Sequence, residues 1–342
     1  MYTAYEIGAQ TGLAALARGP RESMKPGPGQ ALLRVRAVCL NHRDLKIVSG
    51  SYGARRPPLR VPVSDGVGEV LALGADLAGP VVGTRVICPH FVSWLDGAFH
   101  PSAFAADLGV SLDGWLAEQI LVPAAALVAL PDDLTDAQAV ALSAAGLTAW
   151  NALVEVGRVK AGDRVLVLGT GGVSIMALQL ARLHGAQVAV TSSSDAKLAQ
   201  AHALGADITI NYRSTPDWAS AFLQASAGSG ADIVIETGGI ATLSQSITAA
   251  APNGRIVLIG ALGDAAAAAL PNFSSIIGKN LTLRGITAGS RSMLTALVRA
   301  AAASGLAPVI HSEFAFEAAA EAYACLAAGE HVGKIMVRGA VA

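Results

Sequence analysis

The run Gly169-Thr170-Gly171-Gly172-Val173-Ser174 follows directly on the apolar stretch 165–168 and opens a helical pattern that continues to residue 183. Glycines between a strand and a helix are the arrangement that holds a dinucleotide pyrophosphate. Gly169 would make the tight turn, Gly171 would let the backbone approach the anion, and Gly172 and Val173 would present the first free N–H groups of the helix. Ser174 takes the place of the third glycine, where a small side chain is tolerated. At the end of the next apolar run, residues 191–194 read Thr-Ser-Ser-Ser, with no carboxylate to accept from a ribose 2′-hydroxyl. Ser192 and Ser193, with Lys197, Tyr212 and Arg213, make a set able to hold a 2′-phosphate, so NADPH is expected in preference to NADH. The competing assignment makes Asp195 the ribose carboxylate, although a helix cap is also expected there, and leaves Lys197 and Arg213 as solvated surface charges.

These residues need a scaffold that brings strand ends and helix starts to one edge. Six short apolar runs, at 165–168, 188–190, 208–210, 233–235, 256–259 and 281–283, alternate with helical stretches, two of which close at Gly185 and Gly205. That alternation predicts a doubly wound parallel α/β sheet. Before it, residues 30–38 roughly alternate apolar and polar, and runs at 85–88 and 116–122 follow between Gly and Pro, which predicts a β-rich, barrel-like first domain. Residues 131–153 turn helical, with Thr135 as the cap, and are expected to link the domains. The alanine run 265–269 is expected to be a surface loop or short helix, and the tail 309–337 to return to the first domain. The expected division is therefore 1–125, completed by 305–342, for the β domain and 126–304 for the dinucleotide-binding domain.

A chain of 342 residues exceeds the usual reach of one hydrophobic core. A formal net charge of −1 with 14% charged residues leaves no basic stripe for nucleic acid and no polybasic tract for a membrane surface. Composition is 53% hydrophobic, yet the best uncharged window, 137–154, contains Gln138, Ser143, Gly146, Thr148 and Asn151 and would make a poor transmembrane helix. Residues 1–27 lack the charged start and apolar core of a leader, and the three cysteines at 39, 88 and 325 suggest no disulfide framework. A reducing, cytoplasmic location is expected.

Three further segments, 37–50, 63–70 and 145–150, resemble the metal-ligand regions of the medium-chain dehydrogenase/reductase superfamily. In that resemblance the zinc cysteine falls on Asn41, the zinc histidine on Ser64 and the third ligand on Ala145, so no zinc is expected. A structural metal lobe is not expected either, because Cys88 is the sole cysteine between 86 and 115. The chain is most similar to the zinc-independent quinone oxidoreductase and enoyl reductase branch, at Asn41-x-x-Asp44, Ser64-Asp65-Gly66, Ala145 to Trp150, Leu204 to Asp207, Ile210 to Arg213 and Gly333-Lys334-Ile335. The resemblance implies an α/β protein with a GroES-like β-barrel catalytic domain and a Rossmann domain. It also implies NADPH-dependent reduction of an activated C=C bond or a quinone, Thr148 near the nicotinamide, and a homodimer joined through the sixth parallel strand. Alcohol–aldehyde interconversion, or a catalytically weak crystallin-like binding protein, are the alternatives.

Without a metal, the oxyanion left by hydride transfer must be stabilised by hydrogen bonds. Asn41 is the expected donor to the substrate oxygen, Tyr52 the phenol best placed to cover the site or deliver a proton, and His42 a further acid. Each has an alternative structural duty: Asn41 as a turn cap, Tyr52 as loop packing, His42 as a partner of backbone. Asp44 is expected to organise the loop. Trp94, Phe99, Phe104 and Trp115 bracket the segment 91–114, as ordinary core or as an apolar lid.

Overall fold

The computed structural model describes residues 1–52, 58–75, 79–260 and 270–340. By its own contacts the chain divides into two compact units, Met1–Leu147 with Gly289–Ala342, and Thr148–Ala288. Among the described residues no helix is long and apolar enough to cross a membrane. The alanine run 265–269 lies outside the described residues.

The first unit is built on an antiparallel framework. Its longest strand, Gln30–Leu40, pairs along one side with Asp65–Leu73. Along its other side it pairs first with Gln119–Pro123 and then, toward its C-terminal end, with Lys334–Arg338. The tail therefore does return to this unit, adding Ile310–Phe314 and Lys334–Arg338 to the sheet. Alternation along Gln30–Leu40 sends Leu33 and Val35 into a core closed by Trp115, Phe316 and Tyr323, and an irregularity between Val35 and Ala37 shifts the pattern so that Val38 and Leu40 enter the same core. This register sets Cys39 opposite Asp65 and Leu40 opposite Ile335, so three strand ends meet at the point where the chain turns into Asn41.

The second unit carries the predicted parallel sheet. Its six strands lie in the order Ile208–Asn211, Gln187–Ser192, Arg164–Leu168, Ala231–Glu236, Ala250–Leu258, Thr282–Gly285. That is the doubly wound order, with the reversal beside the strand that feeds the glycine turn. Gly185 and Gly205 follow their helices with φ of 77° and 103°, the left-handed closures read from the sequence.

Two boundaries differ from the expected ones. The units separate at 147/148 and 288/289 and not at 125/126 and 304/305. Helix Asp136–Val140, capped by Thr135 as predicted, packs on Gln30–Leu40 and Asp65–Leu73, and Arg36 and Arg85 both grip Asp136, at 2.7 and 2.9 Å. Helix Arg291–Ser304 is tied by its first backbone N–H to the Trp94 carbonyl at 3.0 Å. Both segments are helical like their neighbours in the second unit, which is why periodicity alone assigned them there. The helical stretch after residue 135 is also segmented, with π-helical turns at Leu142–Gly146 and Asn151–Val156 interrupting it.

Candidate active site

Asn41 begins helix His42–Val48, and its backbone N–H donates to Asp44 Oδ2 at 2.7 Å. Asp44 thus organises the loop, as expected, by capping the helix start. The Asn41 carboxamide is engaged at both ends. Its Oδ1 accepts from Lys334 Nζ at 2.6 Å, and its Nδ2 donates to Asp65 Oδ2 at 2.9 Å. A second Nδ2 contact reaches Ser64 Oγ at 3.5 Å, too long to be a strong bond. Lys334 Nζ also donates to the Leu40 carbonyl at 2.7 Å and lies 3.7 Å from Asp65 Oδ2. Asn41, Asp65 and Lys334 therefore close a small polar ring, of which Asp65 and Lys334 are almost wholly buried.

Burial raises the pKa of Asp65, against the opposing pull of Lys334, the Asn41 amide and Arg43. Burial likewise pushes Asp44 up to about 7, offset in part by Arg43 and the Asn41 N–H and reinforced by Asp65. Of these two carboxyl groups, Asp65 is the one paired with the buried Lys334 ammonium.

Tyr52 is not part of that ring. Its phenol packs half-buried on the core, with the Arg43 guanidinium over the ring at 5.1 Å from the centroid. Arg43 in turn forks onto both oxygens of buried Asp107 at 2.8 Å. That pair fastens the Asn41 helix to the segment 91–114. His42 lies exposed at the helix start, with its pKa lowered by desolvation and by Lys46 one turn on. In and beside the segment 91–114, Phe91–Phe104, Trp94–Phe99 and Phe99–Phe104 meet edge to face and Phe91–Phe99 is tilted; Phe91, Trp94 and Trp115 are core, Phe99 is partly buried and Phe104 half-exposed.

The residues matched to zinc ligands do not suit a metal. Asn41 and Ser64 do approach each other, but as a carboxamide and a hydroxyl, and Ala145 is a buried methyl on the π-helical turn. Cys39, two residues before Asn41, contacts the Ile335 carbonyl at 3.3 Å, and burial pushes its thiol up to about 12. Among the described residues no group of three or more His, Cys, Asp or Glu could hold a metal ion.

The second unit carries the residues expected from the sequence to hold a cofactor. Gly169 has φ of 78°, the left-handed turn that glycine adopts without strain, and Gly171 starts helix Gly172–Leu183 with no side chain capping it. The N–H groups at Gly172 and Val173 lie in the first turn of that helix, where no side chain caps them. Ser174, in the third-glycine place, donates its hydroxyl to the Leu168 carbonyl at 2.7 Å, and Thr237 Oγ1 donates to the same oxygen at 2.9 Å. The turn is therefore bonded to the neighbouring loop. Buried Glu236 organises that loop, accepting from the N–H groups of Gly238 and Gly239 and from the hydroxyls of Thr242 and Ser246.

At the next strand end, Asn211 pairs in register with Ser192, and the Tyr212 N–H donates to the Ser192 carbonyl at 3.0 Å. Asn211 Nδ2 donates to Asp195 Oδ1 at 2.7 Å while its Oδ1 accepts the Arg213 N–H. Ser192, Asp195, Tyr212 and Arg213 are brought into one patch, with Ser192 buried and Tyr212 and Arg213 exposed. Ser193 follows half-buried and Lys197 stands one turn into helix Asp195–Ala203. Thr148 is buried in the short helix Leu147–Trp150.

Three residues with a part in these sites had no role assigned from the sequence: Lys334, Asp65 and Asn211. A signal existed for Lys334, since a lone lysine between Gly333 and the apolar run 335–337 must either reach solvent or find a buried partner.

Comparison with known proteins agrees with this architecture. Residues 27–132 match the alcohol dehydrogenase GroES-like domain and residues 172–303 match the family described as zinc-binding dehydrogenase, a stretch that includes neither Asn41, Ser64 nor Ala145. The chain is 42% identical to a zinc-type alcohol dehydrogenase-like protein of Schizosaccharomyces pombe, over 92% of each chain. It superimposes on the crystal structure of an NAD-dependent alcohol dehydrogenase with a TM-score of 0.89 and 32% identity, covering 99% of both chains. It superimposes on the quinone oxidoreductase of Pseudomonas syringae pv. Tomato DC3000 with a TM-score of 0.80 and 28% identity, covering 99% of this chain and 100% of that one. With a GroES-like β unit, a doubly wound parallel sheet and a glycine turn at its switch point, the chain belongs to the medium-chain dehydrogenase/reductase superfamily of oxidoreductases, which bind nicotinamide cofactors.

Proposed function

We propose that this oxidoreductase is a zinc-independent reductase that uses NADPH to reduce an activated C=C bond or a quinone. The observation carrying this reading is the Asn41 carboxamide, fixed between Lys334 and Asp65 where the family resemblance would put a metal thiolate. Bound NADPH would supply the hydride. The chain itself must then receive negative charge on the substrate oxygen. In conjugate reduction that charge is spread over an enolate, and a neutral N–H can carry it; a carbonyl reduced directly develops a full alkoxide and leans on a stronger acid. Asn41 is the donor in this reading, through the Nδ2 hydrogen on the Ser64 side, where the existing contact is weakest. Tyr52, with the Arg43 cation over its ring, is the proton source, and His42 is the second acid. Thr148 is assigned to the nicotinamide end of the cofactor.

NADPH over NADH is supported by the hydroxyls of Ser192 and Ser193, by the nearby Lys197, Tyr212 and Arg213, and by Asp195, whose carboxylate is already occupied by Asn211. A cytoplasmic location is supported by three free cysteines, two of them buried. Alcohol–aldehyde interconversion is the second reading, favoured by the alcohol dehydrogenase names among the relatives.

The test is turnover at the nicotinamide absorbance with enones, quinones, aldehydes and alcohols, before and after exhaustive chelation, beside elemental analysis of the purified protein. Enone or quinone reduction that survives chelation, with zinc far below one per chain, is expected. Turnover of alcohols or aldehydes alone, or about one tightly held zinc per chain whose removal abolishes activity, sinks the reading.

A further inference from the structure

The buried ammonium of Lys334 is partnered by the Leu40 carbonyl, Asn41 Oδ1 and Asp65, yet it has no part in the reaction as described so far. It is 3% exposed and lies at the start of a strand, followed by the buried apolar run Ile335, Met336 and Val337. Gly333 places it there: its φ is 78°, and a Cβ at that position would come within 2.3 Å of the Val309 carbonyl oxygen. Lys334 reaches the Leu40 carbonyl, Asn41 Oδ1 and Asp65, while Asp65 Oδ2 also accepts from Asn41 Nδ2. The two charges therefore flank the two ends of one carboxamide.

The arrangement has a definite electrostatic consequence. An asparagine amide can turn over by half a rotation at little cost in shape, exchanging its donor and acceptor ends. Here the exchange would set Nδ2 against the Lys334 ammonium and Oδ1 against the Asp65 carboxylate, replacing two charge-assisted bonds by two repulsions. The amide is held in one sense. Its first N–H is consumed by Asp65, and the second points to the side of Ser64, 3.5 Å away.

We propose that Lys334, with Asp65, is a positioning residue for the reaction: it locks the Asn41 amide with its second N–H turned to the substrate oxygen. This rests on the reading of Asn41 as the oxyanion donor. The cation acts through Asn41 and not by touching substrate or cofactor. A donor set before the reaction need not reorient as charge develops, which is where a fixed dipole gains over a free one.

Lys334→Met alone leaves Asp65 as an unpaired buried carboxylate and is expected to fold poorly. The informative variant is therefore Lys334→Met with Asp65→Asn, which removes both charges together. It is expected to fold, to bind NADPH as the parent does by fluorescence titration, and to lose about ten- to a hundred-fold in kcat with a smaller change in KM. Combined with Asn41→Ala, the charge-free pair should cost nothing further in kcat, because its effect passes through that amide. Lys334→Arg, keeping the cation, should restore most of the rate.

A charge-free variant that does not fold, that folds with full kcat, or whose loss multiplies with that of Asn41→Ala overturns the proposal. If Asn41→Ala itself leaves kcat unchanged, the donor reading fails and takes this inference with it. If Asn41→Ala is slow and the charge-free variant is not, this inference alone fails.

Discussion

Lys334 Nζ lies 2.6 Å from Asn41 Oδ1, although 293 positions separate the two residues in the chain. Strand pairing makes the contact: Lys334–Arg338 runs antiparallel to Gln30–Leu40, with Ile335 opposite Leu40. The residue just beyond one strand's end is thereby set beside the residue that begins the other. Asp65 joins them because it pairs with Cys39 on the opposite edge of the same strand. A loop residue expected to work alone is instead the middle member of a buried charged group.

Asn41→Ala should lower both kcat and kcat/KM, by about 10²–10³, if its amide is a principal oxyanion donor. Cofactor affinity should hardly change. Asn41→Cys restores one of three metal-ligand types but leaves Ser64 and Ala145, and should not regain activity with added zinc. Steady-state kinetics with and without metal check both variants; full kcat in Asn41→Ala would pass the donor role to Tyr52 or His42.

The proposed 2′-phosphate patch predicts an asymmetric response. Lys197→Ala should weaken NADPH by about ten- to a hundred-fold, the loss of one charge-assisted contact worth roughly 1.5–3 kcal/mol, and leave NADH nearly untouched. Fluorescence titration with each cofactor measures this. Equal weakening of both would show that Lys197 does not meet the 2′-phosphate.

Asp44 should make stability fall as pH rises from about 4 to about 7. A carboxyl at about 7 in the folded protein, against roughly 3.9 in an unfolded chain, binds its proton more tightly when folded. Its contribution is therefore complete at low pH and is lost as pH rises through about 7. Burial dominates; Arg43, Lys334 and the Asn41 N–H oppose it, and Asp65 adds to it. Asp44→Asn cannot titrate, and its amide oxygen can still accept the Asn41 N–H. Denaturant unfolding from pH 4 to 9 should show a flatter profile for the variant, with the two curves diverging by on the order of a few kcal/mol between about pH 4 and about 7 and changing little in separation above that. Parallel curves would assign the titration elsewhere.

We also predict a homodimer joined at Thr282–Gly285, the edge strand of the parallel sheet. An open edge invites pairing, and Leu270, Phe273 and Ile277, in and beside the helix that precedes it, are 89, 72 and 78% exposed. Light scattering at micromolar concentration should give twice the chain mass, and charged substitutions at Phe273 and Ile277 should reduce it to one. A monomeric parent protein refutes the prediction.

The sequence alone determined the parallel sheet, its six strands, the glycine turn and the Thr135 cap, because each is written within a few neighbouring residues as period, spacing or cap. It also determined that Asn41, Ser64 and Ala145 could not reproduce a set of metal thiolates and imidazoles, since side-chain chemistry needs no coordinates. The unit boundaries at 147 and 289 were not legible, because helices of either unit share one periodicity and only their packing separates them. The state of the Asn41 amide was decided by tertiary structure for a related reason. Lys334 and Asp65 reach it through strand register across long stretches of chain, and their hydrogen bonds to its two ends set the sense of the amide between them.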